Sequence, residues 1–132
     1  MQTLHPPGWP RPRGYANGIS ADGRLVFVAG QIGWNEKENM VGPDLTSQFR
    51  RALENTLAVL AAGGAGPGHV ARMTWYITSR TEYLANMKEI GTIYRNLMGN
   101  HYPAMTMVEV KSLIEARAKV EVETTAVVPY DA

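Results

Sequence analysis

Lys119-Val120-Glu121-Val122-Glu123-Thr124 alternates between charged residues and apolar or small ones. Side chains of an extended chain point to opposite faces in turn, so Val120, Val122 and Thr124 share one face and Lys119, Glu121 and Glu123 the other. This strand, predicted to run from residue 119 to about 128, belongs to a sheet with one face on a core. The second, charged face is either wet or covered by another subunit.

Outward from it, a loop over residues 111–116 leads back to a strand predicted at 105–110. Before that, Leu84, Met87, Ile90 or Gly91, Tyr94 and Leu97 recur at helical spacing, predicting a helix over 81–98 with these residues on its inner stripe. Residues 69–78 read as a strand. Leu45, Phe49, Leu53, Leu57 and Leu60 make the stripe of an earlier helix, capped by Asp44 and stopped at Gly63-Gly64, with Gln48, Arg51, Glu54 and Asn55 on its other faces. The glycine-rich run 63–68 follows a helix and lacks a Gly-Lys-Ser/Thr signature, so it is a turn and not a phosphate loop.

At the front, residues 15–19 and 25–32 read as strands joined at Asp22-Gly23 into a β-hairpin. The second of these is nearly continuously apolar, which predicts cover on both faces. Residues 1–14 carry Pro6, Pro7, Pro10 and Pro12 and no long apolar run. They read as an extended arm anchored by Trp9, and not as a secretory signal. The expected organisation is therefore an arm over 1–14 and one α+β domain over 15–132, in the order ββαβαββ. A mixed sheet with two helices packed on one face follows from helices that each bridge strands.

Composition narrows the function. The chain has 132 residues, 45% of them hydrophobic, and a formal net charge of +1, which fits one folded domain. Its 13 Lys and Arg are scattered, arguing against nucleic acid and membrane partners. No cysteine is present, so thiolate catalysis and sulfur-based zinc sites are excluded, and a cytoplasmic location is the expectation. His5, His69 and His101 lack the spacing of a metal site.

Glu121 and Glu123 share a strand face and could carry acid–base chemistry, although taken alone they read as a solvated face. Glu109 reads the same way. Trp34, Trp75, Tyr76 and Tyr102 could stack on a planar ligand, with Trp9 and Trp34 expected as the pocket pair. Among seven methionines, Met105 and Met107 stand out as strand residues able to form an adaptable binding wall.

Several segments, in order, resemble the RidA family, also called YjgF/UK114, of enamine and imine deaminases. They are Gly14-Tyr15; the run from Val26 through Ala29-Gly30 to Ile32; Gln48 with Ala52-Leu53-Glu54-Asn55; Ala61-Ala62-Gly63; Tyr94; Tyr102-Pro103-Ala104; Val108-Glu109-Val110; and Val120-Glu121-Val122-Glu123. The resemblance implies a chorismate-mutase-like fold and a homotrimer with small-molecule sites in the clefts between subunits. It implies hydrolysis of a reactive imine to a carbonyl compound and ammonia, with no metal or organic cofactor. Glu121 matches the glutamate that handles the attacking water, Tyr15 and Gly30 match pocket positions, and Ala29-Gly30 backbone groups orient the substrate.

Two positions depart from the pattern. Met105 stands where active members carry an arginine that pairs with the substrate carboxylate, and Gly91 where many relatives have asparagine. A thioether neither donates a hydrogen bond nor neutralises an anion. Three readings follow: an imine without the free carboxylate; a metabolite-binding or partner-regulating protein without catalysis; or an ordinary 2-imino acid whose carboxylate meets another cation, such as Arg13.

Overall fold

The computed structural model describes residues 1–131. Strands β1 (Gln2–Leu4), β2 (Gly18–Ser20) and β3 (Arg24–Gln31) precede helix α1 (Leu45–Ala62). Strand β4 (Val70–Ile77), helices α2 (Arg80–Ala85) and α3 (Met87–Met98), and strands β5 (Ala104–Glu109) and β6 (Val120–Val128) complete the order. The main sheet runs β3-β6-β4-β5. β6 is antiparallel to both of its neighbours, and β4 and β5 are parallel across the α2–α3 crossover, so the sheet is mixed as expected.

The cap and stripe of α1 form as the sequence predicts. Asp44 Oδ2 accepts from the Ser47 amide at 3.0 Å and from the Ser47 and Thr46 hydroxyls, which holds its carboxyl down at about 2. Phe49, Leu53 and Leu60 are buried against the apolar face of β6 and β4, each worth about 1.5–3 kcal/mol over an exposed position. Trp75 of β4 touches both helices, with ring centroids 4.7 Å from Phe49 and 5.9 Å from Tyr94, so both pack on one side of the sheet.

Gln48 departs from expectation. It is fully buried instead of lying on an outer face. Its amide donates to the carbonyls of Gly42 and Arg117 and its oxygen accepts from the Lys119 amide at 2.7 Å, so one side chain ties two loops to α1. Asn55 does similar work, donating to the Ile32 and Trp34 carbonyls.

Two further expectations are corrected. The single helix over 81–98 is broken at Asn86, whose side chain donates to the Glu82 carbonyl and whose amide caps α2. Leu84 and Met87 are consequently exposed, and Ile90, Ile93, Tyr94 and Met98 are the buried residues of α3.

The opening hairpin does not form. β2 pairs with β1, β3 pairs with β6, and the Ala16 amide donates to the Pro103 carbonyl at 2.9 Å beside the start of β5. Gly23 sets the chain directly on the end of β6, where a Cβ would lie 2.2 Å from the Val128 carbonyl oxygen. The arm is therefore paired through β1. β3 is a sheet edge, and a single chain covers it on the core side alone: Leu25 and Phe27 are 56% and 72% exposed, and only Val28 is buried.

Candidate functional site

The expected site residues fall into two groups. The first lines a cavity of about 450 Å³ between the arm, α3 and β5, within the range of about 300–1,000 Å³ typical of small-molecule sites. Arg13, Tyr15, Gly91, Met105 and Met107 all border it. The arm reaches it because Gly14 adopts a positive φ of 75° immediately before Tyr15, a conformation that glycine takes without steric cost.

Aromatic residues make the inner wall. Trp75, Tyr94 and Tyr102 continue one another, the last two stacked at 5.6 Å with ring planes 15° apart. Tyr94 donates its hydroxyl to the His101 carbonyl at 2.8 Å, and burial pushes its phenol well above the ordinary range. Burial also raises Tyr83, another wall residue. Both phenols are neutral at physiological pH. Among the described residues, the charged groups on the wall are two guanidiniums, Arg13 and Arg95, and no carboxylate lines it.

The second group lies on the other side of the sheet. Glu121 pairs in register with Tyr76 of β4, while Met105 pairs with Met73. Met73 and Tyr76 are separated by an odd number of positions on one strand, so their side chains point to opposite faces, and so do those of Met105 and Glu121. Met73 is buried in the core, which puts Glu121 on the open face with Glu123, Thr74 and Phe27.

There the β3–β6 register slips between Val28 and Gln31, making a bulge that contains Ala29 and Gly30. Bulges re-aim backbone and side chains locally. Glu121 fills the place a side chain at Gly30 would take: a Cβ there would sit 1.9 Å from Glu121 Oε2. The Gln31 side-chain amide donates to the Ala29 carbonyl at 3.0 Å. Glu121 itself is half-buried and accepts no hydrogen bond among the described residues, so its oxygens are available to a water. Its neighbour Glu123 instead accepts from the Tyr76 hydroxyl at 3.3 Å, and the Glu123 charge raises that phenol.

Trp9 and Trp34 do not form the expected pocket pair. Trp9 is 57% exposed, and its arm segment is turned by a bond from its own amide to Pro6. Trp34 is half-buried beside Met40, with its carbonyl held by Asn55. His69 and His101 bond to backbone at Gly66 and Val70, and Glu109 accepts from the Arg80 amide at the start of α2. The sequence reading missed Arg95 and Tyr83. The spacing Met87, Gly91, Arg95 was the available signal, since residues four apart share a helix face.

The family model described as Endoribonuclease L-PSP matches residues 10–128. TdcF of Escherichia coli strain K12 is 30% identical over 130 residues, covering 96% of this chain and 95% of TdcF. The structure of E. coli TdcF with bound serine superposes with a TM-score of 0.70 at 27% identity, covering 97% of this chain and 99% of that one. The 2-iminobutanoate/2-iminopropanoate deaminase of Salmonella typhimurium is 28% identical over 116 residues, 86% of each chain. YyfB of Yersinia pestis, a protein of unknown function in the conserved Rid family, superposes with a TM-score of 0.82 at 28% identity, covering 96% of this chain and 98% of that one. A match over nearly the whole chain, on the same mixed sheet and helices, makes this protein a member of the RidA/YjgF family.

Proposed function

We propose that this protein is an enamine/imine hydrolase that releases ammonia, working at a site built from Glu121 of one copy and the aromatic cavity of another. The observation that carries the reading is the Glu121 carboxylate, held over Gly30 without a hydrogen-bond partner among the described residues. The deaminase name of the Salmonella relative supports the reaction class.

The reaction needs one water. Glu121 accepts a proton from it as the oxygen bonds to the imine carbon, and the imine nitrogen takes up a proton. The resulting carbinolamine loses ammonia as the C–N bond breaks and the C=O bond forms. The balance is imine plus water giving carbonyl compound plus ammonia, with no change of oxidation state, so the chemistry calls for no redox partner.

A second copy is part of the proposal because Glu121 and the Met105 cavity occupy opposite faces of the sheet in one chain. The open face offers a surface for it, with Leu25 and Phe27 more than half exposed beside the two glutamates. A homotrimer, which the family resemblance implies, provides such clefts three times over. A cytoplasmic location belongs to the same proposal and is compatible with the absence of cysteine.

Met105 by itself pointed to an imine lacking a carboxylate. The two arginines on the same cavity wall favour instead a 2-imino acid whose anion is met from another direction. The test is ammonia release from imines made in place by an amino-acid oxidase, with wild type and Glu121→Gln compared. Loss of about 10²-fold or more in the variant is expected for a missing general base. Equal rates in both proteins would reject the proposal.

A further inference from the structure

We infer that Arg95, given room by Gly91, is the anion-binding group of the aromatic cavity, and that the site takes organic carboxylates with a large apolar or aromatic body. This rests on the deaminase reading for its role in catalysis, and on the geometry of the cavity for the binding itself.

Met87, Gly91 and Arg95 follow one another at four-residue spacing on α3, so the Arg95 side chain lies along the cavity wall above Gly91. A Cβ at Gly91 would be 3.3 Å from Arg95 Nη1. The guanidinium thus occupies the space that any larger side chain at 91 would contest. The absence of a side chain at Gly91 and the absence of a cation at Met105 become one arrangement, with the positive charge carried by the helix instead of by β5.

Arg95 has donors to spare. The one hydrogen bond its guanidinium makes among the described residues is a long one, 3.4 Å from Nη2 to the Thr92 hydroxyl. Neither Arg95 nor Arg13 takes part in the ion pairs of the described residues, which join Arg51 to Glu36, Arg117 to Glu115 and Lys119 to Glu82. Two guanidiniums beside an apolar cavity with no carboxylate on its wall among the described residues favour a bound anion, which a planar fork can hold with two parallel bonds.

The rest of the wall defines the ligand's body. Trp75, Tyr94 and Tyr102 offer ring surface and Met105 and Met107 a deformable apolar side. The wall therefore favours ligands larger than two- or three-carbon acids.

Calorimetric titration of the full chain with 3-phenylpropanoate, its neutral amide and acetate tests this without turnover. Wild type is expected to bind 3-phenylpropanoate more tightly than the other two. Arg95→Met is expected to weaken that acid by about tenfold while leaving the amide unchanged, and Arg95→Lys to fall between. Equal affinity for the acid in wild type and Arg95→Met would overturn the assignment, as would equal binding of acid and amide by wild type. Preference for acetate would overturn the ligand class. If ammonia release fails its own test while these titrations behave as stated, the deaminase reading falls and the anion site stands; the opposite pattern removes the anion site alone.

Discussion

Gly30→Ala separates the placement of Glu121 from the stability of the fold. Gly30 is exposed and is not among the positive-φ residues, so its backbone accepts alanine. The new Cβ would meet Glu121 Oε2 at 1.9 Å and Cδ at 2.7 Å, where ordinary contact begins at 3.4 Å. The carboxylate must therefore retreat by about 1.5 Å, and it can do so by side-chain rotation. A misplacement of about 1 Å in a catalytic group costs on the order of 10²-fold, or about 2.7 kcal/mol of transition-state stabilisation.

Folding stability moves in the other direction if at all, because alanine narrows the unfolded ensemble by about 0.4–1 kcal/mol. Ammonia release and urea unfolding, measured together, are the assays. In a Glu121→Gln background the same substitution is expected to add little, since both changes act through one carboxylate. Full activity in Gly30→Ala, with stability unchanged, would refute the account of how Gly30 and Glu121 fit together.

Other expectations follow from the scaffold. Gln48→Ala removes three hydrogen bonds from a fully buried side chain and leaves two loops untied; urea unfolding is expected to show a loss of about 2–4 kcal/mol. Asp44→Ala removes a cap worth about 1 kcal/mol near neutral pH. Because hydrogen bonds depress the Asp44 carboxyl to about 2 in the folded state, its contribution is complete above the unfolded value of about 4 and disappears as pH falls through about 2. The stability gap between wild type and Asp44→Ala, followed by urea unfolding, should close over that window. Phe27→Asp, at a 72% exposed position on the open face, should shift sedimentation toward single chains while leaving the far-ultraviolet circular dichroism of the fold intact.

The parts legible in the sequence are those set by local rules. Asp44 and the Leu45, Phe49, Leu53 spacing define α1 by capping and periodicity, and the alternation in β6 identifies both its buried face and its charged one. The errors came from distant partners. Asp22-Gly23 has the chemistry of a hairpin turn, but Gly23 abuts Val128 at the end of β6, and β2 finds its partner in the arm. Gln48 looks like a surface residue until the loops at Gly42 and Arg117 surround it. The apolar run in β3 predicts cover on both faces, of which one chain supplies the core side and leaves Leu25 and Phe27 open.

At the site, strand parity allowed Glu121 to be assigned to a charged face, but its opposition to Met105 depends on register across β4. Arg95 becomes legible only from the helix face that Gly91 leaves free, and not from the strand position at 105. Residue type alone singles out Trp9 and Trp34, and neither borders the cavity.

The central claim is that water activation and substrate binding come from different copies. Its most direct test is ammonia release from mixed assemblies of two inactive proteins, Glu121→Gln and Gly91→Phe, the second with its cavity filled by a ring. Random one-to-one mixing, after separation and reassembly, gives each shared site about one chance in four of an intact glutamate facing an intact cavity. The account predicts recovery of about a quarter of the wild-type rate on mixing. Activity no greater than the sum of the two separate proteins, in assemblies confirmed to contain both, would contradict it.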